Sequence, residues 1–110
     1  MEVFKLKTMT GGWFVGNFKP CIIESYDIEV CYKLHKKGET WPQHIHKIAT
    51  EATLIIRGKM KIQDQILSDG DIFVIQPWEL ANPEFLEDCE VVIIKTPSVP
   101  GDKYNMEEVQ

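Results

Sequence analysis

The chain has 110 residues, 44% of them apolar and 26% charged, a balance that excludes disordered and fibrous classes and suits one domain. A domain of this size buries roughly two-thirds of the surface its unfolded chain exposes. The net charge of -5, with no basic run longer than Lys36-Lys37, argues against nucleic acid or any other polyanion as partner.

The longest apolar runs, such as Leu54-Ile55-Ile56 and Val91-Val92-Ile93-Ile94, are far too short to span a bilayer, and the N-terminus shows no charged region followed by an apolar one. The expectation is a soluble, cytoplasmic protein with no membrane partner. Cys21, Cys31 and Cys89 are odd in number and lack CxxC spacing, so they read as reduced thiols rather than a disulfide framework.

Glu2 to Thr8 alternate apolar and polar residues and predict a first strand, which Gly11-Gly12 breaks. Trp13 to Phe18 predict a short strand or an aromatic arm, laid either on its own domain or on a second subunit; the arm's thin cover suggests a homodimer. Cys21 to Leu34 are strand-like around a turn at Tyr26-Asp27. Within Ile28 to Leu34 the alternation assigns Ile28, Val30, Tyr32 and Leu34 to the inside and Glu29, Cys31 and Lys33 to the other face. His35, beside Lys36-Lys37-Gly38, reads as a solvated turn residue.

Further on, Ala52 to Ile66 predict a hairpin turning at Arg57-Gly58-Lys59, and Ser68 to Asp71 a second tight turn. Ile72 to Gln76 predict a buried strand, Pro77 to Pro83 a loop, and Glu90 to Thr96 the last strand. The proline-rich tail from Pro97 is not expected to continue a strand. Val99 and Tyr104 are its candidate anchors on the barrel, and Glu107 to Gln110 read as a frayed terminus. Short strands with regular turn signals and no convincing helix start before residue 77 predict an all-β barrel of two antiparallel sheets.

Chemistry concentrates between Gly38 and Gly58. His44 and His46, one residue apart, project from the same face of a strand, and Glu51 follows after a turn, a two-histidine, one-carboxylate set of the kind that holds Zn, Fe, Ni or Mn. Gly38, His44, His46, Glu51 and Gly58, at their spacing, resemble the first signature motif of the cupin superfamily with every specified position filled. Gly70 to Pro77 resemble the opening of the second motif, with Trp78 at its glycine position and Ala81 at its last metal-histidine position. The resemblance covers about residues 38 to 96 and implies a cupin-type jelly roll, with residues 1-20 as an arm, 21-96 as barrel and 97-110 as tail.

It also implies a divalent metal held by His44, His46 and Glu51. Asn82, next to Ala81, carries an amide oxygen that reaches the vacant position if the loop slips by one residue, or else it caps the loop. Trp41 sits beside the first motif to roof the pocket, and Gln43 and Gln76 are placed to orient a ligand from the barrel wall. Around such a metal the charge balance favours a compact oxygen-rich metabolite, anionic or sugar-like. The alternative is a non-catalytic binding or structural module on the same barrel.

Overall fold

The computed structural model describes residues 1–106; the expected fraying of residues 107–110 lies outside them. The strands are β1 (Trp13–Gly16), β2 (Ile23–Glu24), β3 (Glu29–His35), β4 (His44–Ile45), β5 (Thr50–Arg57), β6 (Lys59–Ile62), β7 (Gln65–Ser68), β8 (Ile72–Ile75), β9 (Glu84–Phe85), β10 (Cys89–Thr96) and β11 (Tyr104–Asn105). Six of them form one sheet in the order β2-β1-β3-β10-β5-β8, and β7-β6-β9 form a second. The all-β expectation holds. Every pairing is antiparallel except β1 with β2, which is parallel.

The core sits between these two sheets: Ile55, Ile75 and Val91 of the first meet Met60, Ile62 and Phe85 of the second, with Ala81 and Cys89 completing the cluster. The chain crosses from one sheet to the other at Gly58. Arg57-Gly58-Lys59 is therefore an inter-sheet corner rather than a hairpin, because β5 pairs with β10 and β8 while β6 pairs with β7 and β9. Gly58 has φ 118, and a Cβ there would meet the Asp88 carbonyl oxygen and Cys89. Glycine alone suits both constraints.

The true hairpin joins β6 to β7 through Gln63-Asp64, with φ 49 and 61. Two successive left-handed residues are the geometry of a two-residue hairpin turn, which normally calls for Asn-Gly or Asp-Gly. Asp64→Gly is expected to stabilise the fold by about 1 kcal/mol, since it removes the left-handed penalty of a residue with a Cβ. Chemical denaturation should show a higher midpoint with an unchanged slope.

Three other expectations are corrected. Residues 2–8 form no strand: Leu6–Thr8 is a 3-10 turn, and the Thr8 hydroxyl donates to the Lys5 carbonyl oxygen at 2.7 Å, a local bond that competes with any ladder. β8 is an edge strand rather than a buried one, with Ile72 and Val74 exposed. The tail does return to a strand, as Tyr104 and Asn105 pair with Ile45 and His44.

Polar groups hold that tail. Ser98 Oγ donates to Glu29 Oε2 at 3.0 Å, and the buried Asp102 carboxylate accepts the backbone N–H groups of Lys47, Ile48 and Ala49 at 2.8–3.0 Å. The segment is a strap across the turn between His46 and Glu51. It carries Lys103 to the wall of the pocket between the sheets.

Candidate functional site

β3, β5 and β10 decide which side chains face the interior. Their register places Glu51 opposite Lys95 and Lys95 opposite Glu29, while Cys31 faces Ile93 and Lys33 faces Val91. The odd-numbered residues of β3 thus point inward, so Glu29, Cys31 and His35 are buried while Leu34 is exposed. This inverts the sequence expectation for β3, and it moves His35 from a solvated turn to the pocket wall. The polar residues are inside because the inside is a polar pocket.

The pocket is a cavity of about 180 Å³ whose lining includes the apolar Met60, Phe73 and Phe85 and the polar His44, His46, Glu51, Lys33, Lys95 and Lys103. Two indoles organise the cations. Lys103 Nζ lies 3.8 Å and Lys33 Nζ 5.7 Å from the Trp41 ring centre, and Lys95 Nζ lies 5.0 Å and Lys33 Nζ 5.7 Å from that of Trp13. Each ammonium is within the range of a cation–π attraction. Trp41 is fixed in turn by Glu39, whose Oε2 accepts from Trp41 Nε1 at 2.7 Å and contacts His35 Nδ1 at 2.6 Å, while His35 stacks on Phe85.

Three ammonium groups against one carboxylate leave a net of two positive charges on the wall, histidines apart. Lys95 Nζ is 3.9 Å from Glu51 Oε2; among the described residues neither Lys33 nor Lys103 is paired with a carboxylate. Burial lowers the affinity of Lys103 for its proton, and Lys33 and Lys95 add to that effect. Burial likewise pushes the Glu51 carboxyl above its ordinary value, although Lys95, Lys103 and Lys33 pull it back. His46 is brought down to about 4 by burial, then by Lys95 and His44, so its imidazole is neutral at physiological pH. His44 is lowered by burial too, against the opposing bond to the Pro42 carbonyl.

The predicted metal residues reach the same pocket without forming a coordination cluster. His44 and His46 have ring centres 5.6 Å apart, and His46 Nε2 is 3.3 Å from Glu51 Oε2. A metal-bound imidazole ordinarily donates its second N–H to a carbonyl or carboxylate. His44 Nδ1 does so to Pro42 at 3.0 Å, whereas the buried His46 Nδ1 has no partner among the described residues. Among those residues no group of three or more His, Cys, Asp or Glu side chains is arranged to hold a metal ion. Lys95 stands against Glu51 on the same wall, so an ammonium shares the Glu51 carboxylate with the His46 imidazole.

Of the predicted ligand-contacting residues, Trp41 lines the pocket and Gln43, Gln76 and Asn82 do not. Gln76 Oε1 accepts from the Thr50 hydroxyl at 3.0 Å, and Asn82 Oδ1 caps the Gln63 N–H at 3.3 Å, the loop-capping alternative. Gln43 is exposed, and its carbonyl accepts from the Met106 N–H. Trp78, at the motif's glycine position, takes φ 69, a left-handed conformation rare for a bulky side chain. Its N–H donates to the His46 carbonyl at 2.7 Å, and Ala81 forms a β-bridge with His44. The second motif thus keeps its backbone path although two of its residues differ.

At the level of sequence, no family model and no curated protein matches the chain. A protein with a double-stranded β-helix domain from Klebsiella pneumoniae matches the structure with a TM-score of 0.69 at 17% identity, over 94% of this chain and 89% of that one. A cupin-2 domain containing protein from Shewanella frigidimarina matches at 0.54 and 22% identity, over 64% of this chain and 71% of the other. The chain is a cupin in fold. The DMSP lyase DddQ from Ruegeria pomeroyi also matches the structure, with a TM-score of 0.70 and 12% identity over 89% of this chain, which spans about half (51%) of that protein. Among the described residues, no helix is long and apolar enough to cross a membrane.

Proposed function

We propose that this cupin binds a compact, oxygen-rich metabolic anion, such as a small carboxylate or sugar acid, between Lys33, Lys95 and Lys103. The observation that carries the reading is the set of three partly buried ammonium groups, held on two indole faces along one pocket with a single carboxylate among them. Burying unpaired cations costs stability unless a counter-charge arrives, so an oxyanion supplies what the fold lacks. At roughly 30 Å³ per water the cavity has room for about six waters, which suits a small acid and excludes a nucleotide or a peptide.

His46 and Glu51 favour a catalytic form of the same reading. A neutral imidazole 3.3 Å from a carboxyl group with a raised proton affinity can pass one proton to or from a bound ligand. The occurrence of a lyase on this fold supports such a proton transfer. Three free thiols suit the reducing cytoplasm as its compartment.

A thermal-shift panel tests the proposal. Small carboxylates, sugar acids and inorganic phosphate are expected to raise the melting temperature in the presence of a chelator, while neutral sugars of the same size leave it unchanged. Equal shifts from neutral and anionic compounds would remove the basis for the lysine reading.

A further inference from the structure

The three ammonium groups of the pocket are not equivalent. Lys95 shares the Glu51 carboxylate, whereas Lys33 and Lys103 have no carboxylate partner among the described residues. The neighbouring acids are committed elsewhere. Glu29, opposite Lys95, accepts from Ser98 Oγ at 3.0 Å; Glu39 accepts from Trp41 Nε1 and contacts His35 Nδ1; Asp102 accepts three backbone N–H groups. None of these three acids lines the pocket. Histidines apart, the wall keeps two positive charges in excess.

The cations are also spread out. Lys95 lies in the interior row of Glu51 and Ile75, and Lys33 lies two interior rows further on, level with Val91 and Ile55. Their backbones are about 13 Å apart at the usual strand rise. Lys33 Nζ is 5.7 Å from the centre of both indoles, while Lys95 Nζ approaches the ring of Trp13 and Lys103 Nζ that of Trp41. The three ammonium groups thus form an arc over two rings, with Lys33 in its middle. The row between Lys95 and Lys33 holds Cys31, Ile93, Thr53 and Phe73. Among the described lining residues Thr53 alone carries an uncharged hydroxyl or amide group.

We propose, resting on the oxyanion reading above, that the ligand is a short dicarboxylate with a hydrocarbon body. One carboxylate lies towards Lys103 at Trp41, the other towards Lys95 at Trp13, and Lys33 serves both. Two negative charges match the excess on the wall, and the body faces Ile93 and Phe73. A monoanion leaves one partly buried ammonium without a counter-charge, and a sugar acid buries hydroxyls against Met60, Phe73 and Phe85 where they find no partner; each mismatch costs affinity. A cavity of about 180 Å³, with room for about six waters, takes a diacid of about four or five carbons.

Calorimetric titration of the full chain at neutral pH, with a chelator present, compares succinate and glutarate with monomethyl succinate, tartrate and inorganic phosphate. Succinate or glutarate is expected to bind once per chain and at least about tenfold more tightly than monomethyl succinate, which has the same body and one charge. The same margin is expected over tartrate, which has the charges of succinate and two added hydroxyls. Lys33→Met and Lys103→Met are each expected to shrink the preference for succinate over monomethyl succinate to less than about threefold. Equal binding of monoanion and dianion, a preference that survives both substitutions, or tartrate binding as tightly as succinate overturns the dicarboxylate and leaves the oxyanion reading standing. Phosphate binding at least as tightly as succinate overturns it in favour of a dianion with both charges on one centre. If none of these anions binds, the oxyanion reading falls with it. The ligand series needs only the parent chain, so it decides between these outcomes even where a lysine variant does not fold.

Discussion

Replacing Lys95 by Met is expected to weaken binding of a small oxyanion by about tenfold to a hundredfold, because a hydrogen bond to a charged group contributes roughly 1.5–3 kcal/mol and each decade of affinity is about 1.4. Lys33→Met and Lys103→Met act in the same direction. Glu51→Gln is expected to leave the affinity unchanged or to raise it, since it removes the one carboxylate on the pocket wall. The opposite pattern, affinity abolished by Glu51→Gln and indifferent to the lysines, belongs to a metal-held ligand. The glutamine variant has a second expected signature without any ligand. Burial raises the Glu51 carboxyl in the folded state, so its ionised form opposes folding; that cost sets in above the unfolded value of about 4.3 and is complete once pH exceeds the folded one. Glu51→Gln should therefore melt higher than the parent at pH 7, and the advantage should shrink as pH falls through the raised folded value and vanish below about 4.3.

Asp102→Ala is expected to be the most destabilising single change in the tail. Its carboxylate accepts three backbone N–H groups of the turn between the His44-His46 pair and Glu51. Removing it leaves those donors unsatisfied in a buried place, at a cost of about 3 kcal/mol. For a domain of this size that lowers the melting temperature by roughly 10–20 °C. Burial alone would raise this carboxyl, but the bonds from Ala49, Lys47 and Ile48 hold it below the ordinary aspartate value. A depressed acid contributes fully above its unfolded value of about 3.9 and loses the contribution as pH falls through the folded one. The gap between parent and variant should thus be constant near neutrality and close in acid. The same variant frees the strap that brings Lys103 to Trp41, so oxyanion affinity should fall with stability.

The first histidine motif was legible because spacing alone specifies it: residues 44, 46 and 51 reach one pocket whatever the rest of the barrel does. The lysines were not. In β10, apolar residues occupy both parities from Val91 to Ile94, so alternation gives no inside or outside for Lys95 until Glu51 is seen opposite it. In β3 alternation did give an answer, and the answer was inverted. Parity reading assumes water outside and oil inside, whereas this barrel places a polar cavity within and an apolar face without. Cys31 carried the one usable signal, since a buried thiol between Val30 and Tyr32 requires Glu29, Lys33 and His35 on its own side. Gln43, Gln76 and Asn82 lie near the motifs in sequence, but strand parity and loop capping direct them elsewhere.

Calorimetric titration of the most stabilising anion into chelator-treated protein tests the central claim most directly. The lysine-lined pocket predicts one site per chain, an affinity that Lys95→Met reduces at least tenfold, and no change when Zn, Mn, Ni or Fe is restored. Binding that appears only with added metal, and that Lys95→Met leaves intact, would contradict it.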